Sequence, residues 1–127
     1  MKNFSITSYK YLLKVINSSK KKVITFEEFF KGNNGIIMRH DIDFCPERAL
    51  HIAKIECNFN IKSTYFVMFN SKLYSLKKQK YLHSIKKIIS LGHSIGLHFD
   101  PNYYFSKSGE LDYFCNKECE SLEKLIK

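Results

Sequence analysis

Hydrophobic and polar positions change their spacing several times along the chain, and each change marks a new element. Apolar side chains recur every three to four residues in segments that predict helices, which are about 8–19, 46–58, 78–91 and 111–127, with a shorter helix from Thr25. Three runs between them are continuously apolar or rich in β-branched and aromatic residues, as buried strands are; they are 36–40, 63–69 and 93–99. The pattern predicts β-α-β-α-β-α after an amino-terminal helical extension.

This alternation of strands and helices indicates an α/β fold with three parallel strands and right-handed crossover helices. In such folds ligands bind at the carboxyl ends of the strands. His40, Asp41 and Asp43 follow the first predicted strand, and His98 and Asp100 follow the third. Two separate strands therefore bring metal-competent side chains to the same edge of the sheet.

The residue types at this edge suit a divalent metal ion and hydrolytic chemistry. One of the carboxylates Asp41 and Asp43 could bind the ion while the other accepts a proton from water. His98 would supply an imidazole ligand, and Asp100 could complete or support the site. Zinc accepts such a mixed set of nitrogen and oxygen ligands and keeps a position open for water.

A purely structural interpretation of the same aspartates stays open. Asp43 could cap the helix that begins at Pro46, and Asp41 could pair with Arg39 or Arg48. For either aspartate alone the two interpretations are evenly balanced. The occurrence of two clusters at two strand ends favours the metal site.

Other candidate side chains carry weaker signals. His40 points to the face opposite Asp41, which favours packing or a hydrogen bond over metal binding. His93 begins its strand at the end away from the predicted site. Tyr103 to Phe105 could stack on a sugar ring or cover the core. The cysteines form no CxxC pair and are expected to be free thiols or small apolar side chains; they are Cys45, Cys57, Cys115 and Cys119.

Composition restricts the class of protein further. A chain of 127 residues with 44% hydrophobic and 26% charged residues is typical of one globular domain. The net charge of +9 comes mostly from scattered lysines, and only Arg39 and Arg48 are arginines. This distribution favours a solvated surface over a nucleic-acid site.

The sequence has no apolar run of roughly 20 residues, which predicts no membrane span. It also lacks a signal-peptide pattern, which predicts a cytoplasmic protein.

Three segments together resemble the polysaccharide deacetylase superfamily, the divalent-metal carbohydrate esterases that include chitooligosaccharide deacetylases. They are RHDIDFCPERALHIAKIE (39–56), STYFVM (63–68) and GHSIGLHFDP (92–101). Their order and spacing match the branch whose first motif is His-Asp-hydrophobic-Asp. The resemblance extends over about residues 8–126.

The resemblance implies a partial irregular (β/α) barrel, with residues 1–34 as a helical extension and 35–127 as the amino-terminal part of the barrel. It implies a zinc-dependent hydrolase that removes an N-acetyl or O-acetyl group from a sugar of a surface glycan or its precursor. Asp41 matches the general base, Asp43 a metal ligand and His98 the first metal histidine. His93 matches no catalytic residue.

The chain also departs from the family pattern. Ile42 separates the two aspartates, and Asn102 stands where the family has its second metal histidine, so that Asp100 becomes the substitute ligand. The arginine and the late histidine of the family's later strands have no match. Because three strands cannot close a barrel, we expect part of a longer deacetylase or a short relative with weak activity. We expect a second chain to cover the open edge of its sheet. The alternative is a non-catalytic remnant that binds a partner or a sugar.

Overall fold

The computed structural model describes residues 5–127, so the first four positions of the predicted extension lie outside the described residues. Within this range there are five α-helices: α1 Ile6–Ser18, α2 Phe26–Phe30, α3 Pro46–Asn58, α4 Gln79–Ser90 and α5 Leu111–Ile126. The strands are β1 Val23–Ile24, β2 Ile36–Ile37, β3 Arg39–Ile42, β4 Thr64–Val67 and β5 Ser94–Leu97. A short 3-10 helix covers Pro101–Tyr104.

The principal sheet has the strand order β3-β4-β5, and both pairs of neighbours are parallel. Helix α3 connects β3 to β4, and helix α4 connects β4 to β5. This confirms a mixed α/β fold with three parallel strands and crossover helices. No closed barrel forms among residues 5–127.

A second sheet of two residues per strand was not predicted. β1 pairs with β2 in parallel, and the amide of Ile36 donates to the carbonyl of Lys22 at 2.8 Å. A Cβ atom on Gly35 would lie 2.5 Å from the same carbonyl, so the close approach requires glycine. The predicted strand 36–40 is therefore divided at Met38 between two sheets. Its first half, Ile36 and Ile37, pairs with β1 because the chain passes close to the Lys22 carbonyl.

The predicted helix boundaries rest on local signals, and the structure contains them. Thr25 and Glu28 form a reciprocal capping box at the start of α2. Pro46 occupies the first turn of α3, where its missing amide costs no hydrogen bond. Gly92 follows α4 with a φ of 90°, a left-handed conformation that glycine adopts without strain.

The main core lies between one face of the three-stranded sheet and helices α3, α4 and α5. The sheet contributes Ile42, Tyr65 and Val67, and the helices contribute Ala53, Ile85, Ile88 and Leu122. A smaller cluster of Leu13, Ile55 and Ile61 attaches α1. Because side chains alternate along a strand, Arg39 and Asp41 occupy the face of β3 that points away from the main core.

Among residues 5–127, no helix combines the length and the apolar character needed to cross a bilayer.

Candidate functional site

The structure brings Asp43 and His98 together at the carboxyl edge of the sheet. The register pairs Ile42 with Val67 and Val67 with Leu97, so one further step places Asp43, Met68 and His98 in one row. The His98 amide donates to the Val67 carbonyl at 2.9 Å, which extends the ladder to this row. The two side chains meet across β4, with Asp43 Oδ1 3.1 Å from His98 Nδ1.

The contact between these two atoms is chemically incomplete. They lie at ion-pair distance, yet their orientation makes no hydrogen bond, and neither atom has another hydrogen-bond partner or access to solvent. The missing hydrogen bond is the more informative observation, because buried polar atoms without a partner cost free energy. The carboxylate oxygen and the ring nitrogen therefore face the same space without a hydrogen bond between them.

This pair fits two ligands of a zinc ion. Two ligands of a tetrahedral zinc ion, each bound at about 2.1 Å, lie about 3.4 Å apart. The observed separation of 3.1 Å is close to that value. The side chains of Asp43 and His98 are 47% and 31% exposed, although the two facing atoms are themselves buried. In the part of the chain that the structure describes, no group of three or more His, Cys, Asp or Glu side chains is arranged to hold a metal.

Asp41 lies on the same face of the sheet but makes a different contact. Both of its oxygens accept hydrogen bonds from Arg39, from Nε at 2.9 Å and from Nη2 at 3.2 Å. The guanidinium also lies 4.4 Å above the ring of Phe66. The pairing with Arg39 that the sequence left open is therefore the one present.

Asp100 is engaged locally. Its Oδ1 accepts a hydrogen bond from the Asn102 amide at 3.0 Å and caps the 3-10 helix. Asp43 does not play the capping role that the sequence left open, because Cys45 is the N-cap of α3 and no side chain bonds to that helix end. Because the Asp43 carboxylate is not bonded to the backbone amides at the start of α3, it can face His98.

A phenol hydroxyl is hydrogen-bonded between the ends of β3 and β4. Tyr74, in the loop between β4 and α4, is 4% exposed. Its hydroxyl donates to the Ile42 carbonyl at 2.7 Å and accepts from the Met68 amide at 2.8 Å. Burial raises the pKa of Tyr74, so the group stays neutral and able to donate.

A cleft of about 260 Å³ lies between the edge of β3 and helix α3, and Asp43 lines it whereas His98 does not. Its lining includes Asp41, Asp43, Phe44 and Arg48. Phe44 is 74% exposed and forms part of the outer wall. Both aspartates therefore border this cleft, together with His40 and Tyr65 of the core face.

On the opposite face of the sheet, a buried carboxylate that sequence reasoning missed organises a polar cluster. Glu56 of α3 has no exposed surface. It accepts hydrogen bonds from Tyr9, from His40 Nε2 at 2.6 Å and from the Tyr65 hydroxyl at 2.5 Å. Burial raises the pKa of Glu56, but the hydrogen bonds from His40, Tyr65 and Tyr9 outweigh burial and leave the pKa below its ordinary value.

His93 completes this cluster and has a fixed tautomer. Its Nε2 donates to the Ala53 carbonyl at 3.0 Å, and its Nδ1 accepts from the Ser63 amide at 3.1 Å. Burial lowers the pKa of His93, which keeps the ring neutral. The sequence placed His93 away from the metal-competent edge, and the structure agrees.

A second buried carboxylate holds the loop that follows His98. Glu118 of α5 accepts hydrogen bonds from Asn70 and from the Tyr104 hydroxyl, the latter at 2.5 Å. The Tyr104 ring is stacked between Phe99 and Phe114. Tyr104 therefore covers the core, while Phe105 is 91% exposed. The four cysteines are half-buried and free.

No protein-family model, no curated protein and no solved structure matches this chain.

Proposed function

We propose that this chain carries the metal-binding part of a zinc-dependent hydrolase of the polysaccharide deacetylase type, which removes an acetyl group from an N- or O-acetylated sugar. The observation that supports it is the Asp43–His98 pair, whose facing atoms are 3.1 Å apart, buried and without hydrogen bonds. In this proposal the three parallel strands correspond to the first part of an irregular (β/α) barrel.

The proposed roles follow from the positions of the side chains. Asp43 and His98 hold the ion, and Asp100 remains the proposed third ligand. A zinc ion at this position supplies Lewis acidity toward an acyl carbonyl and toward water. Asp41 lies two residues before Asp43 on the same face and is the proposed proton acceptor. Arg39 orients the Asp41 carboxylate through both oxygens, and each oxygen keeps a second lone pair that can accept a proton.

A second candidate, a module that binds a sugar or a partner chain without catalysis, has its own support. Asp41 is occupied by Arg39, and only two metal-competent side chains meet at the edge within residues 5–127. In that same range the outer edges of β3 and β5 have no strand partner. Unpaired sheet edges are sites where another chain can add a strand.

Zinc binding tests the proposal directly. Calorimetric titration of the full chain with zinc should give about one site per chain. Asp43→Asn and His98→Gln should each lower the affinity by at least about tenfold, because each removes one of two ligands. Asp112→Asn and His83→Gln are matched controls, since both residues are exposed on helices α5 and α4.

The same samples separate the two candidates. Zinc-loaded protein that releases acetate from an N-acetylated chitooligosaccharide, with loss of the activity in Asp41→Asn, supports the hydrolase. Zinc-loaded protein that binds the sugar without releasing acetate favours the binding module. Absence of zinc binding by the wild-type chain contradicts the proposed metal site.

A further inference from the structure

The hydroxyl of Tyr74 occupies the position of a missing rung between β3 and β4. The Thr64 amide donates to the Met38 carbonyl at 2.9 Å, and parallel ladders repeat every two residues. The register therefore predicts that the Met68 amide donates to the Ile42 carbonyl at the end of the strands. Instead, the Met68 amide donates to Tyr74 at 2.8 Å, and Tyr74 donates to Ile42 at 2.7 Å.

This inserted hydroxyl widens the end of the sheet. Two consecutive hydrogen bonds replace one direct bond of about 2.9 Å. The ends of β3 and β4 are therefore held apart at the row that contains Asp43 and His98. The Tyr74 ring cannot easily withdraw, because it is buried and lies edge-on against Tyr81 of α4 with 6.0 Å between ring centres.

The hydroxyl also connects the backbones of the two proposed ligands. The Ile42 carbonyl belongs to the same rigid peptide plane as the Asp43 nitrogen. The Met68 amide belongs to the same plane as the Val67 carbonyl, which accepts from the His98 amide at 2.9 Å. One continuous chain of hydrogen bonds thus runs from the peptide before Asp43, through Tyr74 and one peptide of β4, to the amide of His98.

We propose that Tyr74 is a positioning residue that sets the separation between Asp43 and His98 by spacing the ends of β3 and β4. This inference rests on the proposed zinc site and adds to it a residue that touches neither the ion nor the substrate. Without the hydroxyl, the direct rung between Met68 and Ile42 can close, and the Asp43 peptide then moves toward β4. The carboxylate and the imidazole would no longer face the same space.

Tyr74→Phe tests the inference, because it keeps the ring and removes only the hydroxyl. We expect the zinc affinity of folded Tyr74→Phe, measured by calorimetric titration, to fall by about 10- to 100-fold, the range found for residues that orient metal ligands. Tyr65→Phe is the matched control. Its hydroxyl is also buried in the main core, but it donates to the Glu56 carboxylate and makes no hydrogen bond to the strand ends that hold Asp43 and His98. Its zinc affinity should equal that of the wild type.

The outcomes distinguish this inference from the function on which it rests. Wild-type protein that binds no zinc contradicts the metal site itself. Wild-type affinity in folded Tyr74→Phe overturns the role of Tyr74 and leaves the metal site intact. If Tyr74→Phe does not fold, zinc titration of the wild-type protein followed by NMR tests the role of Tyr74 instead. The Met68 amide and the Tyr74 ring should shift with zinc while the Tyr65 ring does not, and unshifted Met68 and Tyr74 signals overturn the inference.

Discussion

Replacing Glu56 by leucine removes the carboxylate that holds four elements together. Glu56 of α3 accepts hydrogen bonds from Tyr9 of α1, His40 of β3 and Tyr65 of β4. Leucine has a similar volume and suits the helix. The substitution therefore changes polarity and hydrogen bonding while it leaves the packing nearly the same.

The expected loss follows from what each donor does afterwards. Tyr65 has no exposed surface, so its hydroxyl stays buried without a partner, at a cost of about 1–3 kcal/mol. Tyr9 and His40 retain each other, since their polar atoms lie 3.3 Å apart, and both are partly exposed. His40 is partly exposed, so the loss of the carboxylate leaves no fully buried donor on its ring. We therefore expect Glu56→Leu to lower the free energy of unfolding by about 1–3 kcal/mol, the cost of the Tyr65 hydroxyl without a partner.

Urea unfolding followed by far-ultraviolet circular dichroism measures this loss, because the chain contains no tryptophan for fluorescence. Glu120→Leu is a control on an exposed position of α5 and should change the free energy by at most about 0.5 kcal/mol. The lowered pKa of Glu56 adds a pH signature. Its contribution is present above the ordinary value of 4.5 and is lost as the pH falls below that value through the folded-state pKa. Equal stability of Glu56→Leu and Glu120→Leu at pH 7 would refute this account.

Two further predictions concern other buried contacts. Burial lowers the pKa of His93 from 6.5, so the unfolded chain binds a proton at this residue before the folded chain does as the pH is lowered. The urea midpoint should therefore decrease when the pH is lowered from about 7 to about 5, and His93→Gln should make that decrease smaller. An equal decrease in both proteins would argue against the role of His93. In Gly96→Ala the new Cβ would lie 2.6 Å from the Phe66 ring, so we expect the free energy of unfolding, measured in urea, to decrease by about 1–3 kcal/mol. Ser94→Ala, at an exposed position of the same strand, is the control, and equal stability of the two variants would contradict the close contact.

The fold was predictable where a single residue or a local period carries the signal. Thr25, Pro46 and Gly92 mark helix ends through their own backbone preferences, so the sequence alone places them. The pairing of β1 with β2 was not predictable. Each strand has two residues, too few to show a period, and the pair forms because Gly35 lets the chain approach Lys22.

The candidate site was predictable as far as the order of strands and helices determines which side chains lie at the carboxyl edge of the sheet. Asp43 and His98 both come directly after parallel strands, so an edge-to-edge meeting followed from the order of elements. The partner of Asp41 did not follow, because Arg39 and Arg48 were both in range, and the structure selects Arg39. The roles of Asp41 as proton acceptor and of Asp100 as ligand remain predictions.

Glu56 was missed although the sequence contains a signal for it. The position lies three residues after Ala53 and seven after Ala49, so it falls on the apolar stripe of α3. An acid on such a stripe indicates a buried carboxylate with hydrogen-bond donors around it. The identity of the donors could not be inferred, because no local period links Glu56 to Tyr65 on the next strand or to Tyr9 on the distant helix α1.

The run of ionisable residues from Arg39 to Asp43 is explained by its division between the two faces of the sheet. The odd positions, Arg39, Asp41 and Asp43, point away from the main core toward the proposed site, and His40 points toward the buried carboxylate of Glu56. The same strand is therefore anchored on one face by the hydrogen bond between His40 and Glu56, while on the other face Asp43 Oδ1 has no hydrogen-bond partner. Buried polar atoms without partners persist only where the surrounding structure holds them in place. We propose that the Glu56 cluster on one face and the Tyr74 hydroxyl at the strand end hold Asp43 in place, and that the Asp43–His98 contact is the part of this edge that binds a ligand.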